Sequence, residues 1–176
     1  MLRAFRSLLA LLALCSAPFL VAPFAQAAEQ VDLLLVFASD VSRSIDQPKF
    51  QLQREGYAAA IADQRVLEAI TAGRNKRIAI AFVEWSGVTS QKLVIDWTIV
   101  SDAASARKIG DQLIELPRAF ADRTSISAGI DFSMSQLALA PFESRRRTID
   151  VSGDGTNNAG RDVTLARDEE IGRAHV

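Results

Sequence analysis

The chain has 176 residues, a length that suits one domain, and its 49% hydrophobic and 23% charged residues are an ordinary balance for a folded protein. A formal net charge of -1 argues against the clustered positive surface that nucleic-acid binding requires. The one short basic run, Arg145 to Arg147, reads as a solvated strand entrance.

The chain opens with a leader pattern. Arg3 and Arg6 form a positive start, residues 8–24 are apolar, and Ala25-Gln26-Ala27 has the small-x-small form that signal peptidase reads. Cleavage is expected after Ala27. Pro18 and Pro23 interrupt the apolar run and no stop-transfer charges follow closely, so a retained membrane span is not expected. The only cysteine, Cys15, leaves with the leader; Leu14 before it is not the small residue that lipoprotein processing prefers. Loss of Arg3 and Arg6 takes the 20 basic residues to 18 against 21 acidic ones, a mature charge near -3. The expected destination is the periplasm of a Gram-negative bacterium, or secretion.

Residues 31–37 form a near-continuous apolar run, as expected of a strand covered on both faces in a parallel sheet. A polar loop over residues 39–46 follows, and Pro48 suits a first helical turn. Phe50, Tyr57 and Ile61 recur at helical spacing, which predicts an amphipathic helix over residues 48–62. Residues 77–85 and 92–99 read as two strands joined near Gly87, close enough to pair as an antiparallel hairpin. Ser101 and Asp102 cap a helix carrying Ile109, Leu113 and Leu116, which Pro117 ends. A further helix carries Ile126, Ile130, Met134 and Leu137 and stops at Pro141. Residues 148–152 are a short strand, and a last helix begins over residues 162–169.

The predicted order, β-α-β-β-α-α-β-α, is an α/β layer architecture in one domain over residues 28–169. Residues 170–176 are expected to be foreign. They back-translate to GAGATCGGAAGAGCACACGTC, the start of a widely used sequencing adapter, and His175 falls inside them. A genomic clone encoding the same tail would overturn that reading.

In open α/β sheets, ligands sit beyond the carboxyl ends of the strands. There the first loop carries Asp40-Val41-Ser42-Arg43-Ser44, the loop after the 148–152 strand carries Asp154-Gly155, and Thr124 opens a helix between them. Each alone is common turn or capping chemistry. Together, in this order, they offer two carboxylates and three hydroxyls to one point above the sheet. An all-oxygen set suits a hard divalent cation such as Mg2+. Alternation along an extended loop is expected to turn Asp40, Ser42 and Ser44 to one side. An EF-hand reading of Asp154, Thr156 and Asn158 fails, because the glycine comes one place late at Gly160 and position twelve is Leu165.

D-x-S-x-S, a threonine opening a helix, and a strand ending in Asp-Gly together resemble the metal-ion-dependent adhesion site of von Willebrand factor A domains. Trp85-Ser86 is similar to the aromatic-serine pair that closes their second strand. The phrases over residues 40–46 and 150–158 resemble more narrowly a family of exported bacterial proteins, domain of unknown function 1194. The resemblance covers residues 31–169. It implies a three-layer, Rossmann-like von Willebrand factor A fold with a mostly parallel central sheet and one antiparallel edge strand. Such sheets run six strands in the order 3-2-1-4-5-6, so this chain is expected to be truncated at its C-terminus, with the 148–152 strand left as an edge.

The resemblance also implies roles. Ser42 and Ser44 bind Mg2+ (or Mn2+) directly, Thr124 directly or through water, and Asp40 and Asp154 mainly through water or by holding the hydroxyls. The ion then seeks an Asp or Glu carboxylate on a protein partner. Two other classes stay open: a metal-dependent hydrolase whose base would be Asp40, Asp154 or Asp46, and a scaffold with a vestigial site.

Overall fold

The computed structural model describes residues 28–173. The leader read over residues 1–27 and His175 in the tail lie outside the described residues. A short strand β1 (Glu29–Gln30) pairs in parallel with β5 (Phe142–Glu143). The main sheet holds β2 (Leu34–Asp40), β3 (Ile78–Trp85), β4 (Gln91–Val100) and β6 (Arg147–Ser152) in the order β4-β3-β2-β6. β2 runs parallel to β3 and β6, whereas β3 and β4 form an antiparallel hairpin. This is the 3-2-1-4 portion of the 3-2-1-4-5-6 order that the resemblance implies, with β4 the antiparallel edge.

Period-two alternation splits the core. Ile78, Ile80 and Phe82 of β3 pack on one face with Ile61, Ile109 and Leu113 of the helices α1 (Gln47–Ala62) and α3 (Ala103–Glu115). Ala79, Ala81 and Val83 point to the other face with Leu34, Val36 and Leu137, the last from α4 (Ile126–Ala138). Every residue of β3 is buried, as expected of a central strand covered on both faces. On the α4 side the close approach rests on Gly129. A Cβ there would lie 2.8 Å from Cγ of the buried Trp85, so the helix seats directly on the indole. The last helix, α5 (Val163–Arg173), packs on α4. Among the described residues no helix is long and apolar enough to cross a membrane.

Several boundaries differ from the pattern reading. β2 begins at Leu34 rather than residue 31 because the chain bends at Asp32, whose carboxylate accepts the Asn75 amide at 2.9 Å and the Asn75 side chain at 3.1 Å. Val31 is buried all the same, in the α4-side core. Helix α2 (Gln64–Thr71) was not apparent; it starts where Asp63 ends α1 and its carboxylate accepts the Arg65 amide, and it buries Leu67 and Ile70. The strands β1 and β5 are two residues each, too short to show a period.

Glu55, Trp97 and Glu84 take three different environments among these elements. Glu55 is exposed. Trp97 is half-buried, with its Nε1 donating to the Gln136 carbonyl at 3.3 Å. Glu84 is buried and ion-paired with Arg54 of α1, which also donates to the Leu113 carbonyl. Glu84 Oε2 accepts the Ala119 amide at 2.7 Å. That cluster ties α1, β3 and the segment after α3 together just beneath the sheet edge where the candidate residues lie.

Candidate metal site

The register brings three strand ends level: Asp40 of β2 stands opposite Trp85 of β3, and Ser39 opposite Ser152 of β6. The loops that leave them share one edge. Asp40 is itself the last strand residue, not the first of the loop. Its Oδ1 accepts the Ser42 amide at 2.7 Å, and the Ile45 amide closes on the Ser42 carbonyl at 3.0 Å. A turn held by the Asp40 side chain therefore gathers the D-x-S-x-S residues. The extended alternation expected from the pattern is not what aims them, because this turn closes before the loop can run on.

From there a chain of contacts crosses to the other loop. Ser42 Oγ lies 3.1 Å from Ser44 Oγ, and Ser44 Oγ donates to Asp154 Oδ1 at 2.7 Å. Gly155 passes close beside them. A Cβ on it would stand 3.7 Å from Thr124 Oγ1 and 3.9 Å from Ser44 Oγ, which places Thr124 at the same spot. All five predicted residues thus meet at one sheet edge. Asp40, Ser42 and Thr124 form a buried floor, while Ser44 and Asp154 are an exposed rim. Thr124 does not cap α4 as its position suggested; Ser125 does, accepting the Ala128 amide at 3.4 Å. Its hydroxyl is left to face the site.

Thr124 is held by residues that the motif alone did not explain. Its amide donates to Asn158 Oδ1 at 3.0 Å, and its carbonyl accepts the amides of Asn158 and Ala159 at 2.9 and 3.1 Å. Asn157 Oδ1 accepts the Ile126 amide at 2.8 Å. The paired asparagines therefore clamp the 153–162 loop onto the start of α4, rather than shaping only their own turn and the helix after it. Gly160 completes the fit with φ +83, where a Cβ would fall 2.5 Å from Ser125 Oγ. Replacing Asn158 by alanine takes the acceptor from the Thr124 amide and is expected to cost about 1–3 kcal/mol in urea unfolding. An unchanged midpoint would rule out the clamp.

The charges are unevenly placed. Burial pushes the Asp40 carboxyl above the usual carboxylate range, against the pull of the Ser42 amide. Asp154 is held below that range by the Ser44 hydroxyl and Lys49. The Lys49 ammonium sits 2.9 Å from Asp154 Oδ2. Arg118 donates to the carbonyls of Val41 and Ser42 at 2.6 Å and of Ile45 and Phe120 at 2.7 Å, gripping the Asp40 loop from behind. Neither cation belongs to the motif, and both lie outside the signal that revealed it.

Among the described residues no group of three or more His, Cys, Asp or Glu side chains could hold a metal ion. The set here is of another kind, two carboxylates with three hydroxyls, all oxygen, and it fits a hard cation. Asp40 Oδ2 is buried without a hydrogen-bond partner. Such an atom is costly unless something positive or donating meets it. On the rim, the Lys49 ammonium shows that a cation is accepted at Asp154.

A family model described as protein of unknown function (DUF1194) matches residues 30–175. The chain belongs to that family. No curated protein matches it. Solved structures similar to this DUF1194 chain share the von Willebrand factor A fold. One is proximal thread matrix protein 1 from the mussel byssus, in a form with a zinc-occupied metal-ion-dependent adhesion site motif (16% identity, TM-score 0.61, covering 83% of this chain and 36% of that one). Another is the PilB minor pilin of Streptococcus sanguinis (19%, TM-score 0.54, 72% and 30%). A third is the pilus adhesin SpaC of Lactobacillus rhamnosus GG (15%, TM-score 0.50, 75% and 16%). The DUF1194 chain spans about a third or less of the length of these proteins, and at such identities the likeness speaks for the fold.

Proposed function

We propose that the protein is an exported interaction module that takes up a divalent metal ion, Mg2+ or Mn2+, on Asp40, Ser42, Ser44, Thr124 and Asp154, and through it binds a protein partner. The observation that carries this reading is the buried, unpartnered Asp40 Oδ2 beneath a rim of Ser44 and Asp154 that solvent reaches. Hydroxyls outnumber carboxylates in the set, so a bound ion would keep much of its charge. That charge would favour an Asp or Glu carboxylate supplied from outside. The byssus protein with its zinc-occupied motif and the pilus proteins support this use of the fold. The leader motif supports a periplasmic or secreted location.

The test is a calorimetric titration of the chain with Mg2+ and with Mn2+, beside an Asp40→Ala variant, with circular dichroism on both. Saturable binding in the parent, absent from a folded variant, is the expected result. Failure of the folded chain to bind either ion, both as it stands and with the Lys49 charge removed, would leave only a scaffold.

A further inference from the structure

Lys49 stands where helix chemistry does not ask for a lysine. Asp46 caps α1, and its Oδ1 accepts the Lys49 amide at 2.9 Å, which puts Lys49 at the third position of the first turn. The positive end of the helix dipole lies there and disfavours a cation. Glutamate or glutamine is the residue that reaches back to the cap from that position. The Lys49 side chain instead crosses to a loop 105 residues away. Its Nζ donates to Asp154 Oδ2 at 2.9 Å and to the Ser44 carbonyl at 3.2 Å, touching two of the five candidate metal residues. The side chain is 54% exposed, so the pair itself adds little stability. What it does add is a charge at a chosen place.

We propose that Lys49 is a built-in counter-cation that competes with the divalent ion for Asp154 and keeps the affinity of the site low. This inference rests on the metal-binding reading above. Asp154 Oδ1 accepts from Ser44 and Oδ2 from Lys49, so an ion, or the water that joins it to Asp154, must share this carboxylate with the ammonium. An incoming ion either displaces the ammonium or stays beside it against repulsion, and both lower affinity. The flexible lysine stem lets the head swing into water. A site weakened in this way fills most completely when an outside carboxylate completes it, which couples ion uptake to partner binding.

The experiment is Mg2+ calorimetry on the whole chain, comparing the parent with Lys49→Gln, Lys49→Arg and Asp40→Ala. Glutamine suits the third helical position, so α1 is not weakened by that change. Lys49→Gln is expected to bind Mg2+ about tenfold more tightly than the parent. Lys49→Arg, which keeps the charge, is expected to stay within about threefold of the parent. Equal or weaker binding by Lys49→Gln, in a parent whose binding is lost with Asp40→Ala, overturns the competition and leaves the metal site standing. Binding by Lys49→Gln with none detectable in the parent supports it. Silence from both parent and Lys49→Gln removes the metal reading and this inference together.

Discussion

Replacing Arg54 by methionine is expected to destabilise the fold by about 3–5 kcal/mol, the cost of leaving a buried charge without its partner. The Arg54 side chain is 4% exposed and that of Glu84 0%, so water cannot take over the lost contact. The guanidinium also lies 4.7 Å from the centre of the Phe50 ring and holds the Leu113 carbonyl at the end of α3. Without it, Glu84 keeps only the Ala119 amide as a donor. The double variant Arg54→Met with Glu84→Gln is expected to recover much of the loss. The amide still accepts from Ala119, and no charge remains to be desolvated. Urea unfolding of the parent, single and double variants measures this. A single-variant loss under about 1 kcal/mol would mean the pair behaves as a surface salt bridge, and the account of this cluster would be wrong.

Arg118→Met is the second large effect, and it falls on stability and site together. One guanidinium serves four carbonyls on two segments, those of Val41, Ser42, Ile45 and Phe120. Losing it leaves several half-buried acceptors to find water, at roughly 2–4 kcal/mol in total. The Mg2+ affinity of the proposed site is expected to fall by about tenfold as the Asp40 loop loosens. Lysine should not rescue either loss, because a point ammonium cannot reproduce a planar fork that reaches both segments at once. Hydrogen exchange supplies a local readout: the amides of Arg43 and Ile45, bonded to the Asp122 and Ser42 carbonyls, should exchange faster in the variant. Unchanged protection there would show that the loop holds its shape without Arg118.

Much of this architecture was legible in the chain because its signals are local. The buried run that became β2, the hairpin of β3 and β4, and the capped helix α3 each announce themselves within about two dozen residues or fewer. The candidate metal residues were legible for a similar reason: short polar phrases sit at the ends of such elements, and the topology rule says where those ends go. What stayed hidden depends on distance along the chain. Arg54 and Glu84 are 30 residues apart, and Arg118 reaches back 77 residues to Val41. A charged residue inside an ordinary helix or loop carries no mark of its remote partner. Lys49 was the exception that offered a clue, a cation in a first helical turn. Asp63, ending one helix and starting another, hid α2 by making two short helices look like one and a loop.

The separation of Ser44 from Asp154, 110 residues, bears on the order in which the molecule assembles. The β3 and β4 hairpin closes across only the short turn at residues 86–90 and needs little chain entropy to form. The parallel contact of β2 with β6 must wait for the whole intervening chain to be gathered, and such distant pairings form slowly. Among the described residues β6 is also the sheet's outer strand, paired on one side only. The two halves of the site are therefore expected to come together late in folding and to separate early in unfolding. Anything that bridges them acts chiefly on how long the folded state lasts, and little on how fast it is reached.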